Sequence, residues 1–129
     1  MKKKSIWIVD DDAIFKIIIK KLIQKSEKFD NVETFSNGEE ALLSLNNIID
    51  KNERLPDVIL LDIEMPIMDG WTFMAEIDVN KQKFENQNIS IYISSSSIAQ
   101  EDQIKADKNP YIKGFLTKPI ALDNLIKIS

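Results

Sequence analysis

The sequence predicts a doubly wound α/β fold, in which helices cover both faces of a five-stranded parallel sheet. Apolar runs rich in Ile and Val alternate five times with segments of helical periodicity, without an internal sequence repeat. Three of these runs are continuously rather than alternately hydrophobic, which is typical of strands buried on both faces. With 129 residues, the chain has the length of one domain, expected to cover residues 1–129.

The strands and helices each have a signal in the sequence. Strands are predicted at residues 5–9, 32–35, 58–61, 89–94 and 112–116. Helices are predicted at residues 13–25, 39–49 and 70–83, then in a segment that opens at Ser97 and ends before Asn109, and finally, as a short last helix, at residues 122–128. The polar segment 50–56 is predicted to be a loop.

The first predicted helix carries two apolar rows. One row is Ile14, Ile18 and Leu22, and the other is Phe15, Ile19 and Ile23, each with a spacing of four residues. Residues four apart lie on the same face of a helix. Both rows are therefore expected to face the core.

The starts of the later helices are predicted from capping signals. Ser36 with Glu39, and Ser97 with Gln100, have the spacing of capping boxes for the second and fourth helices. Ala121 stands at the cap position of the last helix, where a Ser or Thr would stabilise it by about 1 kcal/mol. The last helix is therefore expected to be poorly capped.

The composition is that of an ordinary globular protein. Hydrophobic residues make up 43% and charged residues 29% of the chain, and no apolar run approaches the roughly 18 residues of a membrane span. The basic start resembles that of a signal peptide, but the apolar run after it ends at Asp10 after four residues. We expect a cytoplasmic protein that is not inserted in a membrane.

The chain contains neither histidine nor cysteine. This excludes disulfides, thiolate catalysis, cysteine-ligated zinc and the commonest general base. The remaining chemistry depends on carboxylates, lysine and hydroxyls, which suit a hard cation such as magnesium or calcium. A net charge of −4 argues against a nucleic-acid partner, since such surfaces are usually basic.

Polar side chains follow four of the five predicted strands. They are the run Asp10-Asp11-Asp12, Asp62, the serine run 94–97, and Lys118. Taken singly, each has an ordinary structural reading as a helix cap, a loop acid or a solvated turn residue. Because ligands of open α/β sheets bind outside the carboxyl ends of the strands, four polar strand ends together predict a site at that edge.

These residues lie in four motifs, namely "VDDD" from Val9, "LLDIEMPIMDGW" from Leu60, "ISSSS" from Ile93 and "GFLTKP" from Gly114. With them, the chain resembles the receiver domain of two-component response regulators, particularly stand-alone, chemotaxis-type ones. The resemblance covers essentially the whole chain. It implies a flavodoxin-like sheet with strand order 2-1-3-4-5 and five helices.

The resemblance also implies a site and a reaction. Asp62 would accept a phosphoryl group from a phosphohistidine on a sensor histidine kinase or a histidine phosphotransfer protein. Asp11 would bind Mg²⁺ directly and Asp10 through water, with Asp62 and the backbone carbonyl of Glu64 as further ligands. Two unit charges about 4 Å apart repel by roughly 4 kcal/mol at a surface-like dielectric, so converging aspartates favour a divalent cation. Lys118 would pair with a phosphoryl oxygen.

The resemblance implies a conformational switch as well. Ser95 would hydrogen-bond the phosphoryl group and Phe115 would turn inward, remodelling the face formed by the fourth helix, fifth strand and fifth helix. Ser95 is preferred to Ser94 because side chains alternate between the two faces of a strand, and this alternation fits Ser95 better. The binding partners of that face would be a downstream protein, a second receiver in a phosphorylation-dependent dimer, or a phosphotransfer protein. Such a domain is a phosphoacceptor and not an enzyme acting on a separate substrate.

Four residues have separate expectations. Asp12 is expected to cap the first helix, where the helix dipole favours an acid. Glu64 and Ser97 stand two residues beyond Asp62 and Ser95. In the family, residues at these two positions affect how fast the acyl phosphate hydrolyses. Trp71 is expected to lie near the site.

Two other functions remain open at this point. A haloacid-dehalogenase-like Mg²⁺ phosphatase would use Asp10 as nucleophile and Asp12 as acid/base, although Ile14 stands where such enzymes have a small polar residue. A degenerate receiver would act as a docking module without phosphorylation.

Overall fold

The computed structural model describes residues 3–84 and 87–129. Five strands form one all-parallel sheet in the order β2-β1-β3-β4-β5, which confirms the predicted topology. The strands are β1 (Lys4–Val9), β2 (Phe29–Phe35), β3 (Val58–Asp62), β4 (Ser90–Ser95) and β5 (Ile112–Thr117). The helices are α1 (Ala13–Ser26), α2 (Gly38–Asp50), α3 (Gly70–Val79), α4 (Lys81–Phe84), α5 (Gln100–Asp107) and α6 (Leu122–Ile128).

The sheet separates two hydrophobic clusters. Along β1, Trp7 and Val9 belong to the cluster covered by α2, α3 and α4, whereas Ile6 and Ile8 belong to the cluster covered by α1 and α6. All four are at most 2% exposed, and burying one such side chain contributes roughly 1.5–3 kcal/mol. This double burial explains the continuous hydrophobicity of the strand.

The third predicted helix is interrupted. The side-chain amide of Asn80 donates to the carbonyl oxygen of Glu76 at 2.9 Å, and α3 ends at Val79. A separate one-turn helix, α4, follows at Lys81–Phe84. The predicted single helix over residues 70–83 is therefore wrong at its end, because Asn80 is a C-cap outside helical geometry (φ −102°, ψ 26°) whose side chain and backbone N–H both bind the Glu76 carbonyl oxygen.

The capping predictions were right at α1 and wrong by one residue at α2. The Asp12 carboxylate accepts from the backbone N–H of Phe15 at 3.0 Å, so Asp12 caps α1. At α2 the cap is Asn37, whose side chain accepts from the backbone N–H of Glu40 at 3.0 Å. Glu40 in turn accepts from the backbone of Ser36 at 2.8 Å. The predicted pairing of Ser36 with Glu39 is replaced by this arrangement.

The predicted capping box of α5 is absent. Ala99 is the N-cap and makes no side-chain hydrogen bond there, while Ser97 lies in the loop with its backbone N–H 3.4 Å from Ser95 Oγ. At α6 the N-cap is Ala121, as expected, and Asn124 Oδ1 accepts from its backbone N–H at 2.9 Å.

One apolar row of α1 faces the core, together with only the last residue, Leu22, of the other row. Ile19 and Ile23 are buried, but Ile14 is 71% and Ile18 53% exposed, and Ile17 beside them is 57% exposed. The sheet and the seven-residue α6 cover one side of α1, so its wider apolar arc extends into solvent. The prediction that Ile14 and Ile18 face the core is wrong.

Within the two described segments, no helix combines the length and the apolar character that a membrane span requires.

Candidate functional site

A cleft of about 360 Å³ opens at the carboxyl ends of the strands. We call it the acidic cleft. The end of β1 contributes three acids, β3 contributes Asp62, β4 contributes serines and the segment after β5 contributes Lys118. Its lining residues are Asp10, Asp11, Asp12, Asp62, Ile63, Glu64, Ser95, Ser96, Ser97, Asp102 and Lys118. The predicted convergence of four strand ends is confirmed.

Three carboxylates form the centre of the acidic cleft. Asp10, Asp11 and Asp62 each place an oxygen within 4.8 Å of the others. Asp10 is 1% exposed, Asp62 is partly buried and Asp11 is exposed. A set of carboxylate oxygens that is open to solvent on one side is the donor set that Mg²⁺ favours, because this ion retains several waters.

Both carboxylate oxygens of Asp10 are already engaged. Oδ1 accepts from the backbone N–H of Asp12 at 2.9 Å, and Oδ2 accepts from Lys118 Nζ at 2.6 Å. The backbone N–H of Asp10 donates to the carbonyl oxygen of Phe35 at 3.0 Å, which ties the end of β1 to β2. Asp10 is therefore held rigidly at the back of the cleft.

Lys118 is the cation of the acidic cleft. Its Nζ lies 2.6 Å from Asp10 Oδ2 and 3.9 Å from Asp62 Oδ2. It also lies 4.3 Å from the ring centroid of Phe15. The backbone N–H of Lys118 donates to the carbonyl oxygen of Ser95 at 2.9 Å, which joins the ends of β4 and β5. The ammonium is thus directed between two carboxylates.

The pKa of Asp62 is raised from 3.8 to about 6. Burial is the largest cause, followed by the negative charge of Asp10, and Asp11 adds a smaller contribution in the same direction. Lys118 and a backbone hydrogen bond from Ile63 lower this pKa but do not compensate. At neutral pH, Asp62 is therefore ionised at a free-energy cost that a cation in the cleft would relieve.

The loop from β3 to α3 fixes the backbone of Asp62. The N–H of Gly70 donates to the carbonyl oxygen of Ile63 at 2.8 Å. A Cβ on Gly70 would lie 2.5 Å from the carbonyl oxygen of Asp62, so only glycine permits this approach. Ile67 in the same loop has φ of 69°, a left-handed conformation that is costly for a β-branched residue.

The two candidate serines occupy different environments. Ser95 lines the acidic cleft, and its hydroxyl donates to the carbonyl oxygen of Ser97 at 2.7 Å. Ser94 is 1% exposed, pairs with Asp62 in the sheet register and is not among the residues that line the cleft. The preference for Ser95 agrees with its position, while its role remains a prediction.

The other predicted residues divide between the cleft and the core. Glu64 and Ser97 are exposed and line the acidic cleft. Phe115 lies outside it, half-buried against the cluster of α2 and α3, and pairs with Ile93 in the sheet. Trp71 is near the site but does not line it, and its Nε1–H donates to Asp102 Oδ1 at 3.0 Å.

Two residues of the site were not predicted. Asp102 on α5 lines the acidic cleft, and Phe15 on α1 covers the Lys118 ammonium. The spacing of Phe15 placed it in a core row, and the acid at position 102 followed no strand end. Each is positioned by tertiary packing that a local pattern does not encode.

The family model for the "Response regulator receiver domain" matches residues 6–129. The chain belongs to the response regulator receiver domain family. The receiver domain is 31% identical over 124 residues to a protein-glutamate methylesterase/protein-glutamine glutaminase of Halalkalibacterium halodurans, covering 92% of this chain and 32% of that protein. It is also 31% identical over 121 residues to the sensor histidine kinase CheAY of Helicobacter pylori, covering 93% of this chain and 14% of that protein.

The fold agrees with a solved receiver structure. A two-component response regulator from Cytophaga hutchinsonii superposes with a TM-score of 0.88 at 25% identity, over 98% of this chain and 95% of that one. The receiver domain spans a third or less of the two curated relatives above. The methylesterase and kinase activities in their names belong to those whole proteins. The predicted family and fold are confirmed, and the domain is a signalling domain.

Proposed function

We propose that this receiver domain accepts a phosphoryl group from a phosphohistidine donor onto Asp62. The observation that carries the proposal is the position of the Asp62 carboxylate. It lies in the acidic cleft, 3.9 Å from the Lys118 ammonium and within 4.8 Å of two further carboxylates. Phosphoryl transfer depends mainly on positioning and charge neutralisation, so a chain without histidine meets its requirements.

Asp62 is better suited to attack phosphorus than Asp10. The Asp10 oxygens are engaged by the Asp12 backbone and by Lys118. Asp12, which a haloacid-dehalogenase-like phosphatase would use as acid/base, has its Oδ1 in the cap of α1. These contacts occupy both groups on which the phosphatase reading depends, and the family match does not favour it.

The donor set fits Mg²⁺, and we assign its ligands accordingly. Asp11 and Asp62 would bind through carboxylates, Asp10 through water because its oxygens are engaged, and Glu64 through its backbone carbonyl. When bound, Mg²⁺ would neutralise charge on the carboxylates and on the phosphoryl oxygens. Six acids and one lysine line the acidic cleft and leave it net negative, so a divalent ion would be needed before an anionic donor enters.

The chain's own groups carry the transfer. An Asp62 oxygen attacks phosphorus, the bond to the donor imidazole nitrogen breaks, and the electron pair leaves with that nitrogen, giving an acyl phosphate. Lys118 then pairs with one phosphoryl oxygen. The Ser95 hydroxyl turns away from the Ser97 carbonyl oxygen and donates to another phosphoryl oxygen. The domain promotes its own phosphorylation and dephosphorylation and acts on no separate substrate.

The signal leaves through the face of α5, β5 and α6. Ser95 lies at the end of β4 and Phe115 pairs with Ile93 two residues earlier on the same strand. Side chains two residues apart on a strand share a face, so movement of Ser95 opens space on the side where Phe115 packs. An inward turn of Phe115 would couple the cleft to this face.

The donor docks beside the acidic cleft. The exposed row of Ile14, Ile17 and Ile18 begins two residues after Asp12, which lines the cleft. A phosphohistidine protein that reaches Asp62 must cover this end of α1, and an apolar surface on it would bury the row. The donor is a sensor histidine kinase or a histidine phosphotransfer protein, and the setting is the cytoplasm.

Labelling with a small phosphodonor tests this proposal. With acetyl phosphate and Mg²⁺, the wild-type protein should form a labile acyl phosphate, and Asp62→Asn should abolish it. Label that survives in Asp62→Asn and disappears in Asp10→Asn would support the phosphatase. An unmodified protein under all conditions would support a docking module without phosphorylation.

A further inference from the structure

We infer that Phe15 is a positioning residue that holds the Lys118 ammonium in the acidic cleft. The inference deepens the proposed function and rests on it, because the role of Lys118 is to meet a phosphoryl group on Asp62. The ring centroid of Phe15 lies 4.3 Å from Lys118 Nζ. A cation within about 6 Å of an aromatic centroid is attracted by the negative face of the ring.

Asp10 and Asp62 compete for the ammonium. Lys118 Nζ is 2.6 Å from Asp10 and 3.9 Å from Asp62, so the nearer carboxylate draws it away from the phosphoacceptor. To meet a phosphoryl oxygen, the ammonium must move without losing its stabilisation. An aromatic face is a broad, weakly directional partner. It therefore retains contact with the ammonium in both positions, which a further hydrogen bond of fixed direction would not do.

Core packing and the cap of α1 fix the position of the Phe15 ring. Phe15 is half-buried against the cluster under α1 and α6. Its backbone N–H donates to the Asp12 carboxylate at 3.0 Å, so the helix cap also sets the position of the residue that bears the ring. Lys118 is itself only 20% exposed in its side chain. The ring thus covers one side of the ammonium and limits access of water to it.

Graded removal of the π face separates this role from simple packing. Replacing Phe15 by phenylalanine analogues with one, two and three fluorine atoms weakens the face of the ring while nearly preserving its shape. We expect the acetyl phosphate labelling rate of Asp62, with Mg²⁺ present, to fall progressively along this series. Phe15→Leu should lower the rate by about 2- to 30-fold, which is the cation–π range expressed as the fall in the share of molecules that keep the ammonium in the acidic cleft. Phe15→Trp should preserve it.

A spectroscopic measurement on the metal-free protein provides an independent test. The ε-methylene protons of Lys118 should show an upfield ring-current shift in the wild type, which Phe15→Leu removes. Leu22→Ala is the matched control, because Leu22 packs against the same cluster on the same helix. That variant should lose stability but retain both the shift and the labelling rate.

The outcomes distinguish the two proposals. A labelling rate that is constant along the fluorinated series, or a Lys118 shift that is unchanged in Phe15→Leu, would overturn the role of Phe15. The absence of any acyl phosphate in the wild type would instead contradict the proposed function, and the ring-current shift would be measurable in either case.

Discussion

Replacing Asp62 by asparagine should stabilise the metal-free protein at neutral pH while abolishing its function. Asparagine has nearly the shape of a protonated aspartate and carries no charge. The folded protein favours the neutral form of this side chain, because burial and the charge of Asp10 raise its pKa. The proposed phosphoacceptor, which must be ionised to react, therefore lies in surroundings where its ionisation lowers the free energy of unfolding.

The magnitude follows from the pKa of Asp62. The pKa is about 6 in the folded protein and 3.8 as the reference value for the unfolded chain. A difference of about two units, at roughly 1.4 kcal/mol per unit, corresponds to on the order of 3 kcal/mol. Above pH 6 the free energy of unfolding of the wild type is lower by this full amount. Between pH 6 and pH 4 the folded state takes up the proton and the cost disappears.

Urea denaturation in EDTA measures the effect. At pH 8 the free energy of unfolding of Asp62→Asn should exceed that of the wild type by up to about 3 kcal/mol, and this difference should narrow towards pH 4.5. Added Mg²⁺ should also narrow it, since the ion stabilises the folded wild type by mass action. An Asn variant that is no more stable than wild type at pH 8, or a difference independent of pH, would contradict the raised pKa of Asp62.

Substitutions at three further positions test the surroundings of the site. Gly70→Ala places a Cβ 2.5 Å from the Asp62 carbonyl oxygen. Urea denaturation should therefore show a free energy of unfolding that is lower by about 1–3 kcal/mol, and acetyl phosphate labelling should slow. An unchanged labelling rate would contradict the role of the loop in fixing the backbone of Asp62. Ile67→Asn relieves a left-handed β-branched residue that is 77% exposed and should raise the free energy of unfolding by about 1 kcal/mol, whereas a loss would argue against strain. Asp12→Ala should cost about 1 kcal/mol through the lost cap, while Asp12→Asn should retain both stability and acyl phosphate; loss of label in Asp12→Asn would favour the phosphatase.

Much of the site could be predicted because parallel strands end at one edge. Asp10, Asp62 and Lys118 follow three different strands in the sequence, and strand direction alone brings them to the same cleft. The strand order came from the resemblance of the motifs to a known family. The cap at Asp12 was predictable because its hydrogen bond is local to the chain.

The incorrect predictions share a physical cause. A spacing of four residues shows that Ile14 and Ile18 lie on one face of α1, but not whether another element covers that face. The end of α3 lies at Asn80, whose side chain and backbone N–H share one carbonyl oxygen of the preceding turn. The contact of Phe15 with Lys118 joins residues that are far apart in the sequence, so periodicity assigned Phe15 to the core alone.

The most direct test of the central claim locates the phosphoryl group on the chain. The protein is incubated with acetyl phosphate and Mg²⁺, treated with borohydride, which reduces an acyl phosphate of aspartate to homoserine, and mapped by peptide mass spectrometry. Homoserine is expected at position 62 only, and none is expected when Mg²⁺ is replaced by EDTA. Homoserine at position 10, or at neither position with the donor and Mg²⁺ present, would contradict the central claim.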